Sequence, residues 1–209
     1  VTLLVSSSSP SVNDGGSVRL VGALRNHLQT GIEEVVFSDG TIWTYVQMRD
    51  ALLTSTASNE TLTGTTRDDI FTYSRGGGND VFVDNMQGGS NDQIILTDIL
   101  PSEVSLLRNG DDVTLVISES APGAQDAGSV RLNGTLRNYF GTGVDKVVFG
   151  DGTEWTYSQM RDTLLTSTGA DETIVGTNDN DTFRYARGGG NDVFVDAIQG
   201  GSNDQIILT

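Results

Sequence analysis

The stretch RGGGNDVFVD runs from Arg75 to Asp84, and the same ten letters return from Arg187 to Asp196. Three consecutive glycines and an Asn-Asp pair are typical of a tight loop, because glycine adopts positive φ angles at low cost. The letters VFV that follow are β-branched and aromatic, as in a short strand. The stretch therefore predicts a loop that leads directly into a strand, and its return predicts a repeated unit.

The chain repeats itself at a single offset of 112 residues. GGSNDQIILT at Gly88 returns at Gly200, and FSDGTIWTY at Phe37 returns as FGDGTEWTY at Phe149. The register holds without a gap over every comparable position, and roughly two thirds of these positions are identical. We predict two tandem units, residues 1–112 and 113–209, in an array that continues beyond both ends of this chain.

The composition argues against several classes of protein. Twelve Lys and Arg residues against 28 Asp and Glu residues give a net charge of −16, which repels nucleic acid and anionic membrane surfaces. No apolar run approaches the roughly 18 residues that a membrane span requires, so we expect no membrane insertion. Because the chain has no cysteine, any metal site must use oxygen ligands.

Most of each unit is predicted to be β structure. VSLLRNGDDVTLVI, residues 104–117, has two apolar runs around Asn109-Gly110, which is typical of a tight hairpin. ThrxxGln motifs at Thr44 and Thr156 are capping boxes that predict one short helix per unit. We expect an all-β fold in which parallel β-roll or β-solenoid segments alternate with hairpins, with the 104–117 hairpin bridging to the next unit.

Three similar rows follow one another in residues 64–97, and again in residues 176–209. In the first unit they read GTTRDDIFT, RGGGNDVFV and QGGSNDQII, each with Asp at the sixth place and a large apolar residue at the eighth. A three-residue strand points its middle side chain inward, while the loop carboxylate can converge with bare glycine carbonyls of a neighbouring loop. Such hard oxygen ligands suit Ca²⁺. The row aspartates are Asp69, Asp80, Asp92, Asp181, Asp192 and Asp204.

These rows resemble the haemolysin-type (RTX) nonapeptide GGxGxDxUx, a calcium-binding β-helix repeat. The segments NGDDVTLVI, GSVRL and VVFGDGTEWT resemble the haemolysin-type calcium-binding-related domain that accompanies those repeats. The family spaces its aspartates nine residues apart, whereas Asp69, Asp80 and Asp92 are separated by extra residues in each turn. The resemblance implies that loop residues beside the aspartates also bind calcium: Gly77, Asn79, Gly89, Asn91, Gly189, Asn191, Gly201 and Asn203.

Alternate rows are expected to stack on the same side, so the first row of each unit should lie against the third. The aspartates of these stacked rows are Asp69, Asp92, Asp181 and Asp204. Asp80 and Asp192 require a partner from the other side, and Asp84 and Asp196 are predicted as additional carboxylates. The alternative is an ordinary all-β protein in which the Asn-Asp pairs only form turns.

No residue pattern predicts catalysis, and we expect no enzyme activity. His27 is the only histidine, and Tyr139 replaces it in the second unit. No serine, cysteine or lysine has a visible base companion, and GxSxG is absent. Trp43 and Trp155 lie beside hairpin turns, where we expect them to anchor the core; stacking on a sugar is the alternative.

The sequence favours a calcium-dependent structural repeat that extends a large secreted or cell-surface bacterial protein, most simply an adhesin-like array. Its expected partners are calcium ions and the neighbouring repeat units of the same chain. The resemblance implies type I secretion, with folding on Ca²⁺ after export. Two alternatives are a carbohydrate-binding surface module and the noncatalytic tail of an exported enzyme.

Overall fold

The computed structural model describes residues 1–22, 31–84, 89–137, 142–196 and 201–209. Within these ranges the protein is mostly β structure, with two α-helices and two short 3-10 helices at Pro101–Glu103 and Thr135–Arg137. The predicted predominance of β structure is confirmed. None of the helices in the described ranges is long and apolar enough to cross a membrane. His27 and Tyr139 lie outside the described residues.

Residues Val1–Leu52 form one compact unit. Its elements are β1 (Thr2–Val5), β2 (Gly16–Arg19), β3 (Glu34–Val36), β4 (Ile42–Thr44) and α1 (Tyr45–Leu52). Strand β1 pairs with β2 and β3 pairs with β4, both antiparallel. Leu20 and Met48 form a small core with partly buried apolar neighbours.

Residues Leu53–Thr209 form the other compact unit. Its elements are β5 (Thr61–Thr63), β6 (Ile70–Tyr73), β7 (Asn79–Val83), β8 (Gln93–Leu96), β9 (Val104–Asn109), β10 (Asp112–Ile117), β11 (Gly128–Asn133), β12 (Lys146–Val148), β13 (Glu154–Thr156), α2 (Tyr157–Leu164), β14 (Thr173–Val175), β15 (Thr182–Tyr185), β16 (Val193–Val195) and β17 (Gln205–Leu208). Strands β9 and β10 form an antiparallel hairpin. The predicted repeat boundary at residue 112 falls at the start of β10. The compact units divide the chain at a different place, between Leu52 and Leu53.

Consecutive short strands of this unit alternate between two sheets. One sheet has the order β5-β7-β11-β10-β9, and the other has the order β13-β12-β8-β6. Strand β7 pairs in parallel with both β5 and β11, and β8 pairs in parallel with both β6 and β12. The alternation returns further along the chain, where β14 pairs with β16 and β15 pairs with β17, again in parallel.

The main core lies between these two sheets. Phe71 of β6 and Phe82 of β7 are fully buried, and their rings stack with centroids 4.8 Å apart. Ile94, Leu132 and Val147 are equally buried and belong to the same cluster. Phe71, Phe82 and Ile94 occupy the eighth place of their rows, so each short strand turns its middle side chain inward.

The loop that leads into β7 depends on glycine at Gly78. Its φ is 83°, in the left-handed region that side chains disfavour. A Cβ at this position would also lie 2.8 Å from Asn59 Oδ1 and 2.9 Å from the carbonyl oxygen of Ser58. Glycine therefore allows this loop to pack directly on the loop before β5.

Each α-helix begins after a capping box. Gln159 N donates to Thr156 Oγ1 (3.3 Å), and Thr156 N donates to Gln159 Oε1 (2.8 Å). Thr44 and Gln47 exchange the same two hydrogen bonds at the start of α1. These bonds satisfy backbone donors that the first helical turn leaves without partners.

Candidate metal centre

The strands of the first and third rows, β6 and β8, lie side by side with Phe71 opposite Ile94. Asp69 and Asp92 stand two residues before these side chains, and both are fully buried. Asp69 N donates to Asp92 Oδ1 at 2.7 Å. The parallel pairing of the two strands thus places two of the predicted ligands next to each other.

A third carboxylate joins this pair from the end of β7. Asp84 is buried, and its Oδ1 approaches Gly64 together with Oδ2 of Asp69: a Cβ on Gly64 would lie 3.2 Å and 2.8 Å from these two atoms. Gly89 lies against Asp92 in the same way, because a Cβ there would lie 2.6 Å from Asp92 Oδ1. The two glycines leave space around the carboxylates. We call Asp69, Asp84 and Asp92 the first carboxylate cluster.

The second sequence repeat, residues 113–209, has the same arrangement. Its three aspartates are Asp181, Asp196 and Asp204, which we call the second carboxylate cluster. One oxygen of each carboxylate lies within 4.8 Å of the others. Asp181 N donates to Asp204 Oδ1 at 2.8 Å. A Cβ on Gly176 would lie 2.6 Å from Asp181 Oδ2 and 3.2 Å from Asp196 Oδ1. Here Asp181 is buried and Asp196 is exposed.

Burial disfavours negative charge on the carboxyl groups of the first cluster. Loss of water around Asp92 raises the pKa of its carboxyl to about 8, and the charges of Asp84 and Asp69 act in the same direction, while the hydrogen bond from Asp69 N opposes them. Asp92 Oδ2 is buried and has no hydrogen-bond partner among the described residues. A buried oxygen of this kind destabilises the fold unless a donor or a cation reaches it.

The spacing of the carboxylate oxygens in the second cluster fits a calcium ion. Ca²⁺ binds carboxylate and carbonyl oxygens at about 2.4 Å, so two ligand oxygens of one ion lie at most about 5 Å apart. The second carboxylate cluster meets this limit. In the first cluster Asp84 and Asp92 would hold the ion beside Asp69, whose Oδ1 also accepts the hydroxyl of Thr65 at 3.0 Å. That bond orients Asp69 within its own loop.

Asp145 extends the first cluster, although it belongs to none of the predicted rows. Asp92 N donates to Asp145 Oδ2, and Asp145 N donates to the carbonyl oxygen of Asp92, both at 2.8 Å. Burial raises the pKa of the Asp145 carboxyl. Asp145 stands two residues before Val147, which lies opposite Ile94. That spacing matches the one between a row aspartate and its inward apolar residue, so it is the signal that identifies Asp145.

Asp80 precedes the inward side chain of β7, which belongs to the other sheet from β6 and β8. Its carboxylate faces the loop before β5. Glu60 N donates to Asp80 Oδ1 at 2.9 Å, and burial raises the pKa of the Asp80 carboxyl. Glu172 and Asp192 form the same contact at 2.9 Å in the second unit. The expectation of three rows per unit therefore leaves out the segment with Glu60 and β5, which contacts the middle row. Glu60 stands nine residues before Asp69, in the place of a row aspartate, but the Asp pattern does not include it because the residue is Glu.

The predicted glycine ligands lie inside the loops. Gly77 and its equivalent Gly189 are buried. The hydroxyl of Ser55 lies 3.4 Å from the carbonyl oxygen of Gly77 and 3.0 Å from that of Thr56. The hydroxyl of Ser167 lies 3.1 Å from the carbonyl oxygen of Gly189 and 3.2 Å from that of Thr168. Gly201 is partly exposed, and its N–H donates to the carbonyl oxygen of residue 179. That Gly77 and Gly189 bind calcium through their carbonyls stays a prediction.

The predicted asparagine ligands are exposed. Asn79 donates its backbone N–H to Asn59 Oδ1, and Asn191 donates to Asp171 Oδ1, both at 2.8 Å. These bonds join adjacent loops on the side of Asp80 and Asp192. Asn91 and Asn203 are also exposed, on the side of the two carboxylate clusters.

The two tryptophans differ in their surroundings. Trp155 is partly buried and packs against the main core, as expected, with its ring edge-to-face with Phe149 at 4.6 Å. Trp43 makes the equivalent contact with Phe37 at 5.2 Å but is 40% exposed. The expectation that both tryptophans anchor a core is therefore wrong for Trp43, which is not part of the small core around Leu20 and Met48.

We expect the stability of the calcium-free protein to fall as pH rises from about 4 to about 8. The folded-state pKa of Asp92 lies above its ordinary value, so the stabilising proton is fully bound below pH 3.8 and is lost as pH rises through about 8. Far-UV circular dichroism of chelator-treated protein at pH 5 and pH 8 measures the shift as a smaller folded fraction at pH 8. The matched control is Asp92→Asn, in which the pH dependence should shrink; an equal dependence in both proteins would contradict the prediction.

Residues 11–47 match the family model of the haemolysin-type calcium binding protein related domain. The match covers less than a fifth of the chain and lies within the compact unit Val1–Leu52. It includes GSVRL, one of the segments whose sequence carries the resemblance, but neither carboxylate cluster. No curated protein matches the chain. The match supports a relationship to the haemolysin-type calcium-binding proteins.

Proposed function

We propose that this chain is a calcium-binding structural repeat of a large secreted or cell-surface bacterial protein with an adhesin-like array. Its tandem 112-residue units would each contain a parallel β-roll that binds Ca²⁺ and contacts the neighbouring units. The observation that carries the proposal is the first carboxylate cluster, three buried aspartates brought together by parallel strands, with Asp92 Oδ2 lacking a hydrogen-bond partner among the described residues. The family match at residues 11–47 supports the calcium component.

The proposed role is noncatalytic, and calcium controls folding. Without a cation, buried carboxylates repel one another and add to the conformational entropy that folding must overcome. With Ca²⁺ bound, the binding free energy becomes folding free energy. Extracellular calcium modules have dissociation constants of roughly 10⁻⁴ to 10⁻³ M. Such a chain would stay unfolded where calcium is scarce and become rigid after export.

Asp92→Asn tests the proposed site with little change in side-chain shape. We expect the calcium affinity of the first cluster to fall by at least about tenfold, equivalent to about 1.4 kcal/mol, because the ion loses one charged ligand. Isothermal titration calorimetry of chelator-treated protein measures the change. Asp204→Asn should weaken the second cluster instead.

Glu154→Gln is the matched control for the affinity measurement. Glu154 is exposed on β13, where it forms a surface ion pair with Lys146 at 3.0 Å. Its substitution removes the same charge from the protein but no proposed ligand. Equal losses of calcium affinity in Asp92→Asn and Glu154→Gln would attribute the effect to net charge and overturn the assignment of the site.

The exposure of Trp43 favours a second candidate function, a carbohydrate-binding surface module. A sugar that stacks on this indole would protect its fluorescence from a soluble quencher, whereas Trp155 is already partly buried. Quenching of Trp155→Phe, which retains only Trp43, measures protection by glycans directly. No protection by a panel of bacterial and host polysaccharides would leave the structural repeat as the remaining proposal.

A further inference from the structure

Helix α2 contacts the loop that carries Asp181 of the second carboxylate cluster. The hydroxyl of Tyr157, at the start of the helix, donates to Asp179 Oδ2 at 2.8 Å. Arg161, one turn later, places its Nη1 3.4 Å from the same oxygen, and its guanidinium lies over the Tyr157 ring, 5.7 Å from the centroid. All three side chains are partly buried, so water weakens this contact less than it weakens an exposed ion pair.

The backbone of Asp179 connects this contact to two carboxylates of the cluster. Its N–H donates to Thr177 Oγ1 at 3.2 Å, and the same hydroxyl donates to Asp181 Oδ1 at 2.8 Å. Its carbonyl oxygen accepts the N–H of Gly201 at 3.2 Å, in the third-row loop that leads to Asp204. The position of Asp179 therefore helps to set the positions of both Asp181 and Asp204.

The hairpin of β9 and β10 contacts the start of the same loop. Arg108 of β9 donates through Nη2 to the carbonyl oxygen of Gly176 at 3.0 Å, and through Nη1 to that of Val175. Gly176 is the glycine that lies against two carboxylates of the second cluster. The loop of residues 176–181 is thus bound at its start by the hairpin and at Asp179 by α2.

The first sequence repeat has a similar helix but a different residue in the loop. Tyr45 of α1 is the equivalent of Tyr157, and Arg67 stands at the place of Asp179. Tyr45 is buried, and its hydroxyl has no hydrogen-bond partner among the described residues. A guanidinium cannot accept a hydrogen bond from a tyrosine hydroxyl. The side chain of Arg67 therefore cannot make the contact that Asp179 makes.

We propose that Tyr157 and Arg161 are positioning residues for calcium at the second carboxylate cluster. The inference rests on the proposed function, because it requires that this cluster binds Ca²⁺. With Asp179 bound to the helix, the loop keeps Asp181 beside Asp204, so less conformational entropy is lost when the ion binds. The same contact must break before the loop can open, so it also slows release of the ion.

Calcium release from the full chain tests this role. Calcium-loaded protein is mixed with excess fluorescent chelator in a stopped-flow instrument, and Asp92→Asn and Asp204→Asn identify which kinetic phase belongs to which cluster. Tyr157→Phe should accelerate release from the second cluster about fivefold and leave the first unchanged, because only the second loop loses a hydroxyl donor. Tyr45→Phe is the matched control and should change neither phase, since the Tyr45 hydroxyl has no hydrogen-bond partner among the described residues.

A double-mutant cycle separates the contact with Asp179 from a general loss of stability. Asp179→Ala removes the carboxylate, so adding Tyr157→Phe to it should accelerate release from the second cluster no further. Asp179→Asn keeps an oxygen that can accept from Tyr157 but loses the charge that faces Arg161. It should therefore accelerate release less than Asp179→Ala does.

Three results would overturn the positioning role. These are equal acceleration of both phases by Tyr157→Phe, an unchanged second phase, and a further acceleration when Tyr157→Phe is added to Asp179→Ala. An original protein that releases no calcium would overturn the proposed function as well. Calcium release that is insensitive to Tyr157 would contradict the positioning role alone.

Discussion

Removal of calcium with a chelator is expected to abolish most of the β signal of this protein in far-UV circular dichroism. The two carboxylate clusters concentrate negative charge in a chain whose net charge is already −16. In the first cluster all three carboxyl groups are buried, which disfavours their ionised forms in the absence of a cation. The hydrophobic content of 36% supports only a modest core. Calcium is therefore expected to decide whether the folded state is populated.

The magnitude follows from the linkage between binding and folding. At a calcium concentration 100 times the dissociation constant, one site that exists only in the folded state contributes about 2.7 kcal/mol. Two such sites contribute about 5 kcal/mol, which is comparable to the whole stability of a small domain at about 5–15 kcal/mol. Loss of both ions should therefore shift the equilibrium from mostly folded to mostly unfolded protein.

Calcium added back after chelation should restore the signal cooperatively at about 10⁻⁴ to 10⁻³ M. Magnesium at the same concentration is the control, and it should not substitute, because Mg²⁺ demands shorter bonds in near-octahedral geometry and gives up its water reluctantly. A spectrum that chelator leaves unchanged would mean that the aspartate rows are folded without metal. The Asn-Asp pairs would then serve as turns only.

The local parts of the fold follow from the sequence because they depend on residues close together in the chain. The Asn109-Gly110 hairpin and the capping boxes each involve fewer than about 15 residues. The stacking of Asp69 on Asp92 also follows from the alternation of the rows, once the period of the Asp and apolar places is known. Asp84, which the sequence predicts as an additional carboxylate, joins the first cluster from its position directly after β7.

The remaining parts of the site depend on pairings between distant segments. Strand β12, which brings Asp145 to Asp92, follows β8 by about 50 residues, and a hairpin and β11 lie between them. No local pattern specifies that parallel pairing, since crossover connections of this kind are set by the packing of the whole core. Glu60 has a simpler explanation. A glutamate in place of aspartate keeps the charge but departs from the motif that defines a row.

The second large effect concerns Phe82, the inward side chain of the middle row. It is fully buried, stacks on Phe71 and lies in the strand pairings opposite Leu62 on one side and Leu132 on the other. Phe82→Ala is expected to reduce the free energy of unfolding by about 3–5 kcal/mol, because the surrounding sheets cannot collapse into the cavity. Urea denaturation in saturating calcium measures the loss as a lower midpoint.

Phe194→Ala is the matched control, because the same residue occupies the same row place in the second unit with only one neighbouring strand. Phe194 is partly buried and lies opposite Ile174, and among the described residues no strand equivalent to β11 covers its other side. Its substitution should therefore cost less than half as much as Phe82→Ala in dilute protein. Equal losses would show that β11 adds little to the burial of Phe82.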